Sequence, residues 1–193
     1  PENYVERAGA AGHGDVAGHS AHEIPALLRL YEEVKTERNV IDFEDVLLLL
    51  VGIMLDRPDV ARQIRDQYRH FVVDEYQDVS PLQHRLLQLW LGDRKELCVV
   101  GDVSQTIYSF TGARSHYLAR FASEFPKAKL IELNRDYRST PQIVDAANQV
   151  ISSDRSEGAV SLKSQLPSSA PVKWKEYTDD EEEASGIVGE ILT

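Results

Sequence analysis

Phe71-Val72-Val73-Asp74-Glu75-Tyr76-Gln77-Asp78 is the stretch that decides the reading of this chain. Three apolar, β-favouring residues run straight into two adjacent carboxylates. A buried strand of a parallel sheet reads this way when polar chemistry sits at its carboxyl end. Crossover helices cover the faces of such a sheet, and its ligands lie in the crevice beyond the strand ends. An Asp-Glu pair there suits a metal-phosphate site, in which one carboxylate holds Mg²⁺ and its neighbour handles a water proton. Taken singly, the pair also reads as solvated turn residues. Gln77 and Asp78 add hydrogen-bonding groups just before a helix start, and make the pattern rarer than the pair.

Outward from this stretch the chain alternates strands and helices, which predicts an α/β fold with helices on both faces of a parallel sheet. Ser80-Pro81 opens a helix with Ser at the N-cap and Pro at N1, and Gly92-Asp93 stops it. Leu97 to Val100 is a second apolar strand, again followed at once by polar residues, Gly101-Asp102. Upstream, helical spacing covers Glu23 to Lys35, Asp42 to Leu55 and Asp59 to Gln67. Asp42 is the expected N-cap of the second of these, with Asp45 three residues on, and its aliphatic stripe predicts a buried helix. Downstream come a helix over Ser115 to Glu124 and a third strand over Lys129 to Leu133. Ser139-Thr140-Pro141-Gln142 then opens a helix with cap, Pro and capping-box Gln. Residues 152–171 read as a mobile connection, Val172 to Tyr177 as a half-exposed strand, and the acidic run from Asp179 to Glu183 as the dipole-favoured first turn of a last helix.

Composition sets the class. An apolar fraction of 42% and a charged fraction of 27% describe a soluble globular protein. No apolar run approaches the roughly 20 residues that span a bilayer, and the first residues lack the pattern of a secretory signal. One cysteine, Cys98, excludes an intrachain disulfide and fits a reducing cytoplasm. The Gly-, Ala- and His-rich segment Gly9 to His22 reads as a flexible loop or tail, and its His13, His19 and His22 lack the partners of a metal site. A net charge of −11 argues against a basic nucleic-acid footprint on the chain as a whole, so any such contact must come from a local channel or from chain outside this sequence.

Four further positions carry candidate chemistry. Gln105 follows the second strand, where a neutral amide can orient a water and touch a γ-phosphate. Tyr108 and Phe110 stand two apart in a polar, Gly-bounded loop, where an extended backbone would turn both rings to one side. Stacking on bases and packing beneath the loop are both open uses of such rings. Tyr137-Arg138 follows the third expected strand, and Arg suits bidentate phosphate contact or a transition-state charge, though a surface Arg reads the same.

Read together, the ordered segments Val73 to Asp78, Val100 to Ala113 and Leu133 to Thr140 resemble motifs II, III and IV of UvrD/Rep/PcrA-type superfamily 1 DNA helicases. Ile41-Asp42-Phe43-Glu44-Asp45-Val46-Leu47 is similar to the segment that precedes motif II in that family. The resemblance implies an ATP-driven 3′→5′ DNA translocase of the repair type, with two RecA-like domains, Mg²⁺ and ATP as cofactors, and single-stranded or duplex-junction DNA as partner. It implies that Asp74 coordinates Mg²⁺, Glu75 activates the attacking water, and Gln105 contacts the γ-phosphate and couples hydrolysis to DNA. Tyr108 and Phe110 would stack on bases, Tyr137 would pack on the adenine, and Arg138 would be the arginine finger. On this reading residues 1–22 are a loop or tail, 23–133 the later part of the first RecA-like domain, and 134–193 the start of the second.

The chain departs from the family pattern at several places. Val103 and Ser104 stand where acidic residues are usual, Phe110-Thr111 replaces Trp-Arg, and Arg135-Asp136 replaces Gln-Asn. These changes suggest a divergent branch, such as that of the second UvrD paralogue of actinobacteria. The sequence also holds no Gly-x-x-x-x-Gly-Lys-Ser/Thr phosphate loop. The expectation is therefore a helicase fragment that is inactive alone and works with the remaining helicase domains, in a cytoplasmic parent protein. The competing reading is a stand-alone, non-catalytic RecA-like module used for protein contacts. A different P-loop enzyme would leave the aromatic loop and Tyr137-Arg138 without a reason.

Overall fold

The computed structural model describes residues 18–20, 22–154 and 158–192, apart from the side chains of Thr111 and Asp154. Most of the expected loop at 9–22, including His13, lies outside the described residues. The chain divides into two compact units, one holding Pro1–Arg69 and Leu82–Lys95, the other His70–Pro81 and Glu96–Thr193.

The first unit is helical. Helix α1 (Ile24–Arg38) begins with Pro in its first turn and ends at Asn39, whose left-handed φ of 52° closes the last turn. Helix α2 (Phe43–Asp56) opens with a full capping box: Asp42 Oδ1 accepts the Asp45 N–H at 2.9 Å, and Asp45 Oδ2 accepts the Asp42 N–H at 3.0 Å. Lys35, near the end of α1, drops its ammonium onto this box, donating to Asp42 and Asp45 and pairing with Glu32. Burial works to lower the Lys35 pKa, but its carboxylate partners outweigh that and raise it. The N–H of Asp45, then the Tyr31 hydroxyl, hold Asp42 down at about 2 against an ordinary 3.8.

A carboxyl depressed by folding stabilises the native state above its unfolded pKa, and that contribution fades as pH falls through the folded value. The unit should therefore lose stability between about pH 4 and pH 2, and Asp42→Asn should flatten that acid limb. Thermal unfolding followed by circular dichroism across pH checks this; an unchanged acid limb in the variant would remove Asp42 from the account.

Helix α3 (Pro58–Gln67) and helix α4 (Pro81–Leu91) complete the unit. Met54, Ala61, Leu86 and Leu89 form its buried cluster, with Leu47, Leu50, Val51, Ile64 and Trp90 against it. Arg94 donates to the carbonyls of Arg65, Tyr68, Trp90 and Leu91, satisfying orphan acceptors at the ends of α3 and α4 with a single guanidinium. The expectation of a buried α2 is corrected. Met54 is buried, but Phe43, Val46, Leu48, Leu49, Ile53 and Leu55 are exposed, because the cluster covers only one side of a helix that is apolar nearly all round.

The second unit holds two short parallel ladders. Strand β1 (Phe71–Val73) pairs with β2 (Leu97–Val99) in the register Phe71↔Leu97, Val72↔Cys98, Val73↔Val99. Alternation puts Val72 and Cys98 on one face, and both are exposed, so the strands are half-buried rather than covered on both faces. Strand β3 (Arg135–Asp136) pairs with β4 (Lys163–Ser164). Two expected strands are corrected. Among the described residues, 129–133 have no ladder and no partner strand, and Leu130, Ile131 and Leu133 stand exposed. Residues 172–177 are likewise irregular, while the stretch read as a mobile connection supplies β4. The expected helix at 115–124 breaks at Arg120 into α5 (His116–Ala119) and α6 (Phe121–Glu124).

Helix α7 (Pro141–Asp154) follows β3 and starts at the expected Pro. Gln142 makes no capping box; its amide instead binds Ser168 Oγ and the Ser169 N–H. Helix α8 (Asp180–Ile191) is capped by Asp179 and carries the acidic run in its first turn, as the dipole favours. Among the described residues no helix is long and apolar enough to cross a membrane.

Candidate nucleotide and nucleic-acid site

The site grows from the ends of β1 and β2. Past Val73 the chain must turn sharply, and it does so at Glu75, a non-glycine residue held left-handed at φ 51° and ψ 41°. Such a conformation costs on the order of 1–3 kcal/mol and persists only where surroundings fix it. Asp74 Oδ1 accepts the Glu75 N–H at 3.0 Å, and the Tyr76 N–H then reaches the Val100 carbonyl at 2.9 Å. The turn thereby carries the β1–β2 ladder one step beyond the strands and leaves Asp74 and Glu75 exposed at its edge. Tyr76 anchors the turn from below: it is fully buried, edge-on to the Phe121 ring at 5.9 Å, and burial pushes its hydroxyl up to about 12.

Gln77 is the joint between the two strand ends. It is only 1% exposed. Its Nε2 donates to Glu75 Oε2 at 2.6 Å and to Asp78 Oδ2 at 3.4 Å, and its Oε1 accepts the Asp102 N–H at 3.0 Å. A backbone N–H can only donate, so the amide orientation is set by Asp102. Asp102 in turn caps the turn that follows β2, accepting the Ser104 N–H at 2.9 Å and Gln105 Nε2 at 3.0 Å. A continuous hydrogen-bonded line thus runs Glu75–Gln77–Asp102–Gln105. The sequence pointed to both ends of it; the middle, Gln77 and Asp102, was not read as a connection. The signal available was Gly101, where a side chain would collide with Gln77.

The aromatic loop lies next. Its backbone is a turn at Ser109–Thr111, not the extended segment that would align alternate residues. The rings of Tyr108 and Phe110 nevertheless meet, 6.1 Å apart and tilted by 50°. Phe110 is 77% exposed, so it does not pack beneath the loop. The Arg114 N–H donates to the Val79 carbonyl at 3.2 Å, tying the far end of this loop back to the segment after β1.

Tyr137 and Arg138 stand apart. Both are exposed, and among the described residues no hydrogen bond or ion pair joins them to the Glu75–Gln105 line. Asp136 Oδ1 accepts the N–H groups of Arg138 and Ser139 at 2.9 and 2.6 Å, which fixes the turn into α7.

The chain matches the family described as the UvrD/REP helicase N-terminal domain over residues 5–126. It belongs to the UvrD/REP helicase family. It is 43% identical over 197 aligned residues to the ATP-dependent DNA helicase UvrD2 of Mycobacterium tuberculosis, covering 99% of this chain and 28% of that protein. It is 35% identical to the ATP-dependent DNA helicase Rep of Escherichia coli over 84% of this chain and 24% of that protein. The putative ATP-dependent DNA helicase YjcD of Bacillus subtilis is 32% identical over 88% of this chain and 22% of its own length. The chain therefore spans about a quarter of the length of these curated relatives. The family match contains Asp74, Glu75, Gln105, Tyr108 and Phe110 and stops short of Tyr137 and Arg138.

The donor set at the β1 edge fits the Mg²⁺ expected from the sequence. Asp74 and Glu75 offer hard carboxylate oxygens, and among the described residues no cluster of three or more His, Cys, Asp or Glu could hold a metal by itself. Mg²⁺ typically takes one or two protein carboxylates and completes its shell with waters and substrate phosphates. Asp78 Oδ1 and Ser104 Oγ, in the two post-strand loops, are buried without hydrogen-bond partners among the described residues, so these loops retain polar capacity beside the site.

Proposed function

We propose that this chain is the part of an ATP-dependent 3′→5′ DNA helicase of the repair type that carries the water-activating edge of the ATP site and the single-strand stacking loop. The observation that carries the reading is the hydrogen-bonded line from Glu75 to Gln105, which joins the candidate proton acceptor to the candidate phosphate sensor. In this reading Asp74 holds Mg²⁺ and Glu75 takes a proton from the attacking water. Gln105 orients that water against the γ-phosphate, and its loop leads into the aromatic pair. Tyr137 packs on the adenine and Arg138 meets the charge that develops on the transferred phosphoryl group. Mg²⁺, when bound with ATP, neutralises part of the phosphate charge.

The proposed domain division keeps residues 23–133 with the first RecA-like domain and 134–193 with the second. With no phosphate loop in this sequence, the chain by itself should neither bind Mg-ATP tightly nor turn it over. Isothermal calorimetry on the 193-residue chain checks that, and tight binding with turnover would overturn it.

DNA-stimulated ATP hydrolysis by the full-length protein tests the function. Turnover should rise on adding single-stranded DNA, and turnover indifferent to DNA would overturn the helicase reading. Phe110→Ala should raise the DNA concentration needed for half-maximal stimulation about 5- to 150-fold, since a stacked base contributes about 1–3 kcal/mol. DNA-independent turnover should change far less. Equal losses with and without DNA would make Phe110 a packing residue.

A further inference from the structure

Buried glutamine is uncommon, because a primary amide taken out of water must have its hydrogen-bonding capacity met. Methionine would fill the same volume with no polar group to satisfy. At Gln77 the amide oxygen and both amide hydrogens are used, and each partner belongs to a loop at the site. The shortest of these contacts is to a carboxylate carried by a residue in a strained left-handed conformation. The longest in sequence crosses from the loop after β1 to the first turn after β2, between residues 25 apart.

We propose that Gln77 is a positioning residue for ATP hydrolysis: it fixes the Glu75 carboxylate through Oε2 and couples that carboxylate to Gln105 through the Asp102 N–H. The proposal rests on the helicase reading above. Tying Oε2 leaves Glu75 Oε1, which has no hydrogen bond among the described residues, as the oxygen that meets the water. Asp102 transmits the link because both of its carboxylate oxygens are engaged within the next turn, one by the Ser104 N–H and one by Gln105. A shift of Gln105 toward or away from phosphate therefore pulls on Asp102, on the Gln77 amide, and on the carboxylate that takes the proton.

The two functions of the amide can be separated. Gln77→Met keeps volume and loses all three hydrogen bonds. Gln77→Glu keeps an oxygen for the Asp102 N–H and sets a second carboxylate against Glu75. In the full-length protein, Gln77→Met should lower kcat for ATP about 10- to 100-fold with KM for ATP unchanged, the effect expected when a reacting group is misplaced by about an ångström. It should also shrink the ratio of DNA-stimulated to unstimulated turnover. Gln77→Glu should lower kcat to a similar degree while keeping that ratio, because the tie to Asp102 survives.

Steady-state ATPase assays of wild type, Glu75→Gln, Gln77→Met and Gln77→Glu, with and without single-stranded DNA, provide the readout. If Gln77→Met fails to fold, Gln77→Glu alone decides. Turnover within twofold of wild type in either folded Gln77 variant, with Glu75→Gln inactive, would overturn the positioning role and leave the helicase reading standing. Wild-type turnover absent, or indifferent to DNA, would overturn the helicase reading itself, and turnover unaffected by Glu75→Gln would remove Glu75, and with it the positioning role, from the proton-transfer step.

Discussion

Glu75→Gln in the full-length protein is expected to lower ATP turnover about 10²- to 10⁴-fold, the range supplied by a positioned general base, while ATP affinity is retained. The substitution is nearly isosteric. A glutamine at this position can still accept from Gln77 Nε2 through its own amide oxygen, so the 2.6 Å contact has a successor and the turn keeps its shape. The left-handed backbone is no more strained for Gln than for Glu. What disappears is the ability to take a proton. Asp74, the residue proposed for Mg²⁺, remains, which is why nucleotide binding should survive. Asp74→Asn should behave in the opposite sense, weakening Mg-ATP affinity as well as turnover. Calorimetric ATP affinity together with single-turnover hydrolysis separates the two variants. Turnover of Glu75→Gln near wild type would remove Glu75 from the proton-transfer step.

The elements legible in the sequence are those whose causes are local. The capping box of α2 needs only Asp42 and Asp45, three residues apart, and it forms. Pro81 and Pro141 set helix starts because a missing N–H costs nothing there. β1 and β2 announce themselves as apolar runs that end in polar residues, and they pair in parallel. The misread strands fail for non-local reasons. Leu130, Ile131 and Leu133 have strand propensity, yet a strand needs a partner, and propensity cannot say whether one is at hand. Lys163–Ser164 has no strand pattern; it is a strand because Lys163 and Gln165 donate to the carbonyls of Asn134 and Asp136. In the site the same division holds. The carboxylate pair, Gln105 and the aromatic pair were visible as residue types at strand ends. The role of Gln77 was not, since its partner Asp102 lies a helix and a strand away in the chain.

Gly101→Ala is expected to destabilise the second unit by about 3 kcal/mol, the upper end for an overpacked site, or roughly 6–12 °C in Tm. Gly101 sits where β2 gives way to the Asp102 turn. A Cβ there would lie 2.4 Å from Gln77 Oε1, 2.9 Å from Leu118 Cδ2 and 3.1 Å from the Tyr76 backbone nitrogen. Leu118 can shift, but the other two cannot do so cheaply. The Tyr76 nitrogen is held by its bond to Val100, and Gln77 is buried with its amide fully engaged. The methyl must therefore push the amide off the Asp102 N–H or separate the two loops. Gly52→Ala, inside α2 with nothing within 4 Å of the new Cβ, supplies the opposite sign and should stabilise by about 0.5–1 kcal/mol. If the collision with Gln77 is the cause, Gly101→Ala should cost less in a Gln77→Ala background, so that the double-mutant cycle is strongly non-additive. Thermal unfolding of the four chains measures this. A Gly101→Ala protein as stable as wild type, or equal costs in both backgrounds, would show that the two loops do not meet through Gln77.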